Sequence, residues 1–98
     1  MVIDKQGRIC LGQKLCEEFG YKVGSNLRFA YEGNGTYKLV KPEDISESDR
    51  LIRSGCKIQE KGCRICIPLE IRNIYSNNVV VYGKREDSCI YIEFLAYN

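Results

Sequence analysis

Six cysteines, no histidine and a single candidate pair of carboxylates are the groups in this 98-residue chain from which chemistry would have to be built. The cysteines are Cys10, Cys16, Cys56, Cys63, Cys66 and Cys89. In an exported chain they would suggest a disulfide framework. The N-terminus, Met1-Val2-Ile3-Asp4-Lys5, carries no apolar export segment, so they are read as reduced thiols filling space as small hydrophobes. Cys63-Arg64-Ile65-Cys66 has the spacing of a metal-ligand pair, but it lies in a strand-like stretch. Residues three apart on a strand point to opposite faces, so the two thiolates do not reach one zinc ion. The lack of histidine removes the commonest general base and metal ligand. Asp4 and Glu60 form an imaginable acid–base pair, yet no nucleophile, oxyanion hole or cofactor loop accompanies them. They are expected to order loops, and no enzyme, cofactor or metal is expected.

The background to these residues is an ordinary globular composition, 44% hydrophobic and 29% charged, which fits neither a disordered nor a collagen-like chain. The length allows one small domain, or two very small units that share a core. Net charge is only +2, too low for indiscriminate coating of nucleic acid, so any such site must be a local patch. The charge is unevenly placed: residues 1–42 carry net +3, residues 43–56 net −2 and residues 57–98 net +1. No apolar run approaches the ~20 residues that cross a bilayer, and a cytoplasmic location is expected.

An internal repeat organises the chain. Asp4-Lys5-Gln6-Gly7-Arg8-Ile9-Cys10-Leu11-Gly12 lies over Glu60-Lys61-Gly62-Cys63-Arg64-Ile65-Cys66-Ile67-Pro68 at a constant offset of 56. The same offset pairs Leu15 with Ile71 and Phe19 with Tyr75. The register then slips by four: Leu27-Arg28-Phe29 meets Val79-Val80-Val81, and Tyr37-Lys38-Leu39 meets Ile90-Tyr91-Ile92.

Each unit reads as hairpin, short helix, hairpin. In the first, Val2–Lys5 and Arg8–Leu11 are strands around a Gln6-Gly7 turn, Lys14–Phe19 is a short helix ended by Gly20, and Leu27–Tyr31 and Thr36–Lys41 flank Gly33-Asn34-Gly35. In the second, the strands are Lys57–Glu60, Arg64–Ile67, Asn78–Tyr82 and Cys89–Leu95, with Pro68 at the first position of the helix. Ile9, Leu11, Ile65 and Ile67 are expected to face the core. Between the units, Pro42–Ser54 reads either as a partly ordered linker or as a short helix capped by Asp44 or Ser46 and carrying Ile45, Leu51 and Ile52.

The signature Asp-Lys-Gln-Gly-Arg-Ile-x-Leu followed by Leu-x-x-x-Phe-Gly-Tyr-x-x-Gly resembles the AbrB/MazE/SpoVT swapped-hairpin family. The second unit resembles the same pattern through residues 60–72, and the tandem copies resemble the MraZ arrangement. The resemblance implies a mainly β fold with short helices: a swapped-hairpin β-barrel formed as a pseudo-twofold dimer of two tandem repeats. Residues 1–42 and 57–98 would be the repeats, joined by an acidic tether over 43–56, with the protein a monomeric pseudo-dimer or a homo-oligomer. Three positions depart from the family pattern: Gly12 stands in place of a proline, Cys16 in place of an arginine, and Cys63 in place of a glycine.

In DNA-binding members of that family the contacts come from basic residues around the Gly-Arg turn and on the short helix. Carried onto this chain, the resemblance points to Lys5 and Arg8 in the first unit and Lys57, Lys61, Arg64 and Arg72 in the second, with Lys14 as a neighbour. It implies a bacterial transcriptional regulator whose partner is double-stranded DNA. Arginine suits that task because its two parallel donors hold a phosphate or the guanine edge. The alternatives are a solvated surface in which Arg8 and Arg64 pair with Asp4 and Glu60, and a protein-interaction module that kept the fold without DNA binding. Tyr31, Tyr37, Tyr82 and Tyr91 offer a stacking platform for single strands, although packing is the commoner use of strand tyrosines.

Overall fold

In the computed structural model, which describes residues 1–98, each half of the chain completes its sheets only with strands of the other half. The elements run β1 (Arg8–Cys10), α1 (Gln13–Phe19), β2 (Asn26–Gly33), β3 (Thr36–Val40), a 3-10 turn (Pro42–Asp44), β4 (Leu51–Lys57), β5 (Arg64–Cys66), α2 (Leu69–Arg72), β6 (Val79–Lys84) and β7 (Cys89–Phe94). They form two antiparallel sheets, a β1–β5 ribbon and a five-stranded sheet ordered β4-β2-β3-β7-β6. The fold is therefore mainly β with two short helices.

The register of the ladders follows the repeat. In the ribbon Ile9 faces its equivalent Ile65, and Arg8 faces Cys66 as Arg64 faces Cys10, so the two strands are related by a local twofold at the Ile9–Ile65 pair. The hydrogen bonds beyond it are reciprocal: the Leu11 N–H donates to the Cys63 carbonyl at 3.0 Å, and the Ile67 N–H donates to the Gly7 carbonyl at 2.7 Å. In the large sheet Lys38 faces Tyr91, flanked by Tyr37–Ile92 and Leu39–Ile90. The outer ladders match in turn, Phe29 pairing with Leu39 as Val81 pairs with Ile92. Both central ladders thus join residues that the repeat alignment makes equivalent.

A hydroxyl closes one end of the central ladder. The Tyr21 hydroxyl donates to the Leu39 carbonyl at 2.7 Å and accepts from the Ile90 N–H at 2.9 Å, so it bridges β3 and β7 where they meet. Burial holds that phenol protonated, pushing its pKa far above the ordinary value. α1 ends at Gly20, whose left-handed φ of 75° lets its N–H reach the last carbonyls of the helix. Phe19, the last residue of α1, lays its ring against Gly83 of β6, where any side chain would collide with it.

Several expectations need correction. The segment 43–56 does not supply a helix over Leu51 and Ile52; after the 3-10 turn it becomes β4, an edge strand on β2 in which Leu27 faces Cys56. Ile52 and Cys56, on one side of the strand, are half-buried against the core, and Leu51 on the other side is partly covered as well. Val2–Lys5 is not a strand: Val2 makes one bridge to Asn78, and Asp4 and Lys5 belong to the turn. Pro68 precedes α2, with an extended ψ of 143°, and does not occupy its first position. The large sheet is open, with β4 and β6 as its edges, so no closed barrel forms.

One core serves both halves. Twenty buried apolar residues form a single cluster that includes Ile9, Leu11, Phe29 and Leu39 from the first half and Ile65, Ile67, Ile90 and Ile92 from the second. Ile65 is fully enclosed. Ile65→Ala is expected to lower stability by about 2–5 kcal/mol, the range for truncating a buried isoleucine, whereas Val80→Ala on the exposed side of β6 should change it by less than about 0.5 kcal/mol. Urea unfolding of the two variants measures both.

Candidate nucleic-acid interface

The turn that leads into β1 is organised by one carboxylate. Asp4 accepts hydrogen bonds from the backbone N–H of Gln6 at 2.9 Å and of Arg8 at 2.8 Å through one oxygen, and from Arg8 Nε at 3.2 Å through the other. The N–H groups and the guanidinium favour the charged form, which holds the Asp4 carboxyl below its ordinary value. Asp4 therefore orders the loop, and Arg8 is its ion-pair partner. Gly7 takes the left-handed conformation at φ 80°.

The second turn is built differently. The Asp4 N–H closes the first loop on the Arg8 carbonyl, whereas the second is closed by the Gln59 N–H on the Arg64 carbonyl at 2.8 Å, one residue wider. Lys61, Gly62 and Cys63 are successively left-handed, with φ of 53°, 79° and 55°. Cys63 thus holds the conformation of Gly7 despite its side chain. Glu60 makes no ion pair with Arg64, and the Arg64 Nε is enclosed without a hydrogen-bond partner.

The antiparallel ribbon sets the two turns at its opposite ends, Gly7 beside Ile67 and Gly62 beside Gly12. With Ile9 and Ile65 pointing into the core, Arg8, Cys10, Arg64 and Cys66 occupy its outer face, each arginine directly opposite a cysteine. Lys5 and Lys61 stand exposed on the flanking turns. Arg72, at the end of α2, lies across Gly7: a Cβ placed there would come within 2.6 Å of its guanidinium carbon. Lys14 is exposed on the first turn of α1, just past Gly12, whose N–H bonds the Gly62 carbonyl. Lys57 is exposed at the end of β4, paired with Asn26, and none of the hydrogen bonds or ladder pairs links it to the other six. Of the seven basic residues only Arg8 has a carboxylate within salt-bridge distance. The tyrosines lie elsewhere: Tyr37 and Tyr91 are buried, and Tyr82 stacks on Tyr91 at 5.7 Å between centroids.

A pair of contacts was not legible in the motif. Cys16 of α1 is buried beside Cys63 of the second turn, and its equivalent, Arg72 of α2, covers Gly7 of the first. Positions 7 and 63 are equivalent, as are 16 and 72, so a large residue over glycine at one end answers two small thiols at the other. The signal was present as Cys16 and Cys63, each differing in size from its equivalent in the other unit, but only the fold shows that each pair touches. Cys63 and Cys66 diverge as expected, the first buried and the second exposed. No group of three or more His, Cys, Asp or Glu side chains is arranged to hold a metal ion. No helix is long and apolar enough to cross a membrane.

No protein-family description, curated protein or solved structure matches this chain.

Two tests follow from the turns. Gly7→Ala puts a side chain at φ 80° and against Arg72, and should lower stability by at least about 1–2 kcal/mol in thermal or urea unfolding. The folded pKa of Asp4 lies below that of the unfolded chain, so its contribution is fully present above the ordinary carboxylate pKa and is lost as pH falls through the folded value. Asp4→Asn should therefore lower stability at neutral pH and flatten the loss of stability on acidification below pH ~4.

Proposed function

We propose that this chain is a DNA-binding protein of the swapped-hairpin type, a transcriptional regulator acting in the cytoplasm, in which two tandem units supply the halves of one pseudo-twofold binding face. The observation that carries this reading is the placement of two basic turns at the opposite ends of one antiparallel ribbon whose outer face carries Arg8 and Arg64 about a local twofold. A duplex offers phosphates related by its own local twofold, and a pseudo-symmetric pair of arginines suits that spacing of charge. Lys5, Lys61 and Arg64 are free of carboxylate partners, so binding would not require breaking an ion pair at those positions. The reciprocal ladders and the repeat at offset 56 support the swapped-hairpin relationship.

A specific feature favours the alternative, a protein-interaction module. Val2, Val80, Leu95 and Tyr97 are exposed apolar residues near one another, linked by the Val2–Asn78 bridge, the Leu95 N–H bond to the Asn78 carbonyl and the Tyr75–Tyr97 bridge. Such a patch is what a partner protein would cover.

Fluorescence anisotropy with a random pool of labelled duplexes separates the two readings. DNA binding predicts affinity that falls steeply with salt, because each neutralised phosphate releases counterions. Arg8→Ala with Arg64→Ala should leave the fold intact, weaken binding and reduce the salt slope by about two. Absence of binding at low salt overturns the proposal and favours the interaction module.

A further inference from the structure

The cysteine that abandons the Cys63–Cys66 spacing finds another partner. Cys16 and Cys63 are buried together on the wall of a cavity of about 390 Å³ whose lining also includes Tyr21, Lys22, Glu60 and Lys61. The two thiols come from opposite halves, one from α1 and one from the second turn. Keeping a side chain at position 63 is costly, since its equivalent is glycine and its φ is left-handed. Burial and the neighbouring Cys63 thiol push the Cys16 pKa up to about 12, so Cys16 rests as a neutral thiol rather than as a reactive thiolate.

We propose that Cys16 and Cys63 form a two-thiolate site for a soft monovalent d10 metal ion of the copper(I) class, reached through this cavity. Sulfur ligands select such ions over harder ones. The ligand count makes the same choice: Glu17 and Glu60 also line the cavity, but no three His, Cys, Asp or Glu side chains converge to hold an ion, which leaves zinc short of its four ligands but suits an ion that is satisfied by two sulfurs in line. Binding replaces the two S–H protons by the ion and releases both to solvent, with no change in oxidation state, so the apparent affinity rises with pH. The bound ion would tie α1 of the first unit to the turn that carries Lys61 and Arg64. This inference does not depend on DNA binding.

Other cysteines must be excluded by design, because Cys10 and Cys66 are exposed and Cys56 is half-buried. The experiment is an anaerobic titration of the full chain with copper(I), kept reduced by ascorbate, against a chromophoric copper(I) chelator, with X-ray absorption counting sulfur neighbours. The double variant Cys10→Ser, Cys66→Ser should retain one tightly held ion with two sulfur neighbours and bind it more tightly at higher pH. Cys63→Gly, which restores the residue type of Gly7 and should fold, is expected to lose that ion, and Cys16→Ala should lose it independently. Retention of the ion by either of these last two variants, or its loss from the double serine variant, overturns the proposal.

Discussion

The antiparallel pairing of the two halves, centred on Ile9 against Ile65 in the ribbon and on Lys38 against Tyr91 in the large sheet, is the constraint on which the rest of the molecule depends. A unit of about forty residues buries too little surface to hold a core by itself. Here each unit contributes one strand to the ribbon and two adjacent strands to the large sheet, and the twenty buried residues form one cluster rather than two. The Tyr21 hydroxyl fastens the arrangement from within, satisfying a carbonyl on one half and an N–H on the other. Breaking the pairing would expose these groups and both faces of the core together.

The same pairing accounts for where the charges lie. Because inward positions alternate with outward ones, burying Ile9 and Ile65 forces Arg8, Cys10, Arg64 and Cys66 outward, and the turns that carry Lys5 and Lys61 flank them. The symmetry is approximate, and its defects are coupled. At one end Asp4 caps a tight turn and Arg72 covers Gly7; at the other the turn is a residue wider, no carboxylate caps it, and Cys63 packs beside Cys16. Arg8 is consequently tied to a carboxylate while Arg64 is not, so the two halves of the face are electrostatically unequal. Under the proposed function, an asymmetric face of this kind would distinguish the two halves of a duplex site.

Much of this was legible in the sequence because the repeat is written in residue types with strong physical meaning. Gly7, Arg8, Ile9 and Leu11 recur as Cys63, Arg64, Ile65 and Ile67, and matching strands in two copies of one unit tend to find each other. The repeat alignment therefore anticipates the Phe29–Leu39 and Val81–Ile92 equivalence. The role of 43–56 was less legible, since its acidic polar residues carry no period, and Leu51–Lys57 becomes a strand only because β2 offers a bare edge. The open sheet was hidden for a similar reason: closure depends on which edges meet in space, not on the pattern within a strand. The Cys16–Cys63 contact was invisible because it joins a helix and a turn 47 residues apart, at positions that read separately as irregularities.

The most direct test of the account is equilibrium urea unfolding followed over about a hundredfold range of protein concentration. Pairing of the two halves within one chain predicts a single cooperative transition whose midpoint does not move with concentration. A midpoint that rises with concentration would contradict it, and would mean that the strands completing each half come from a second chain.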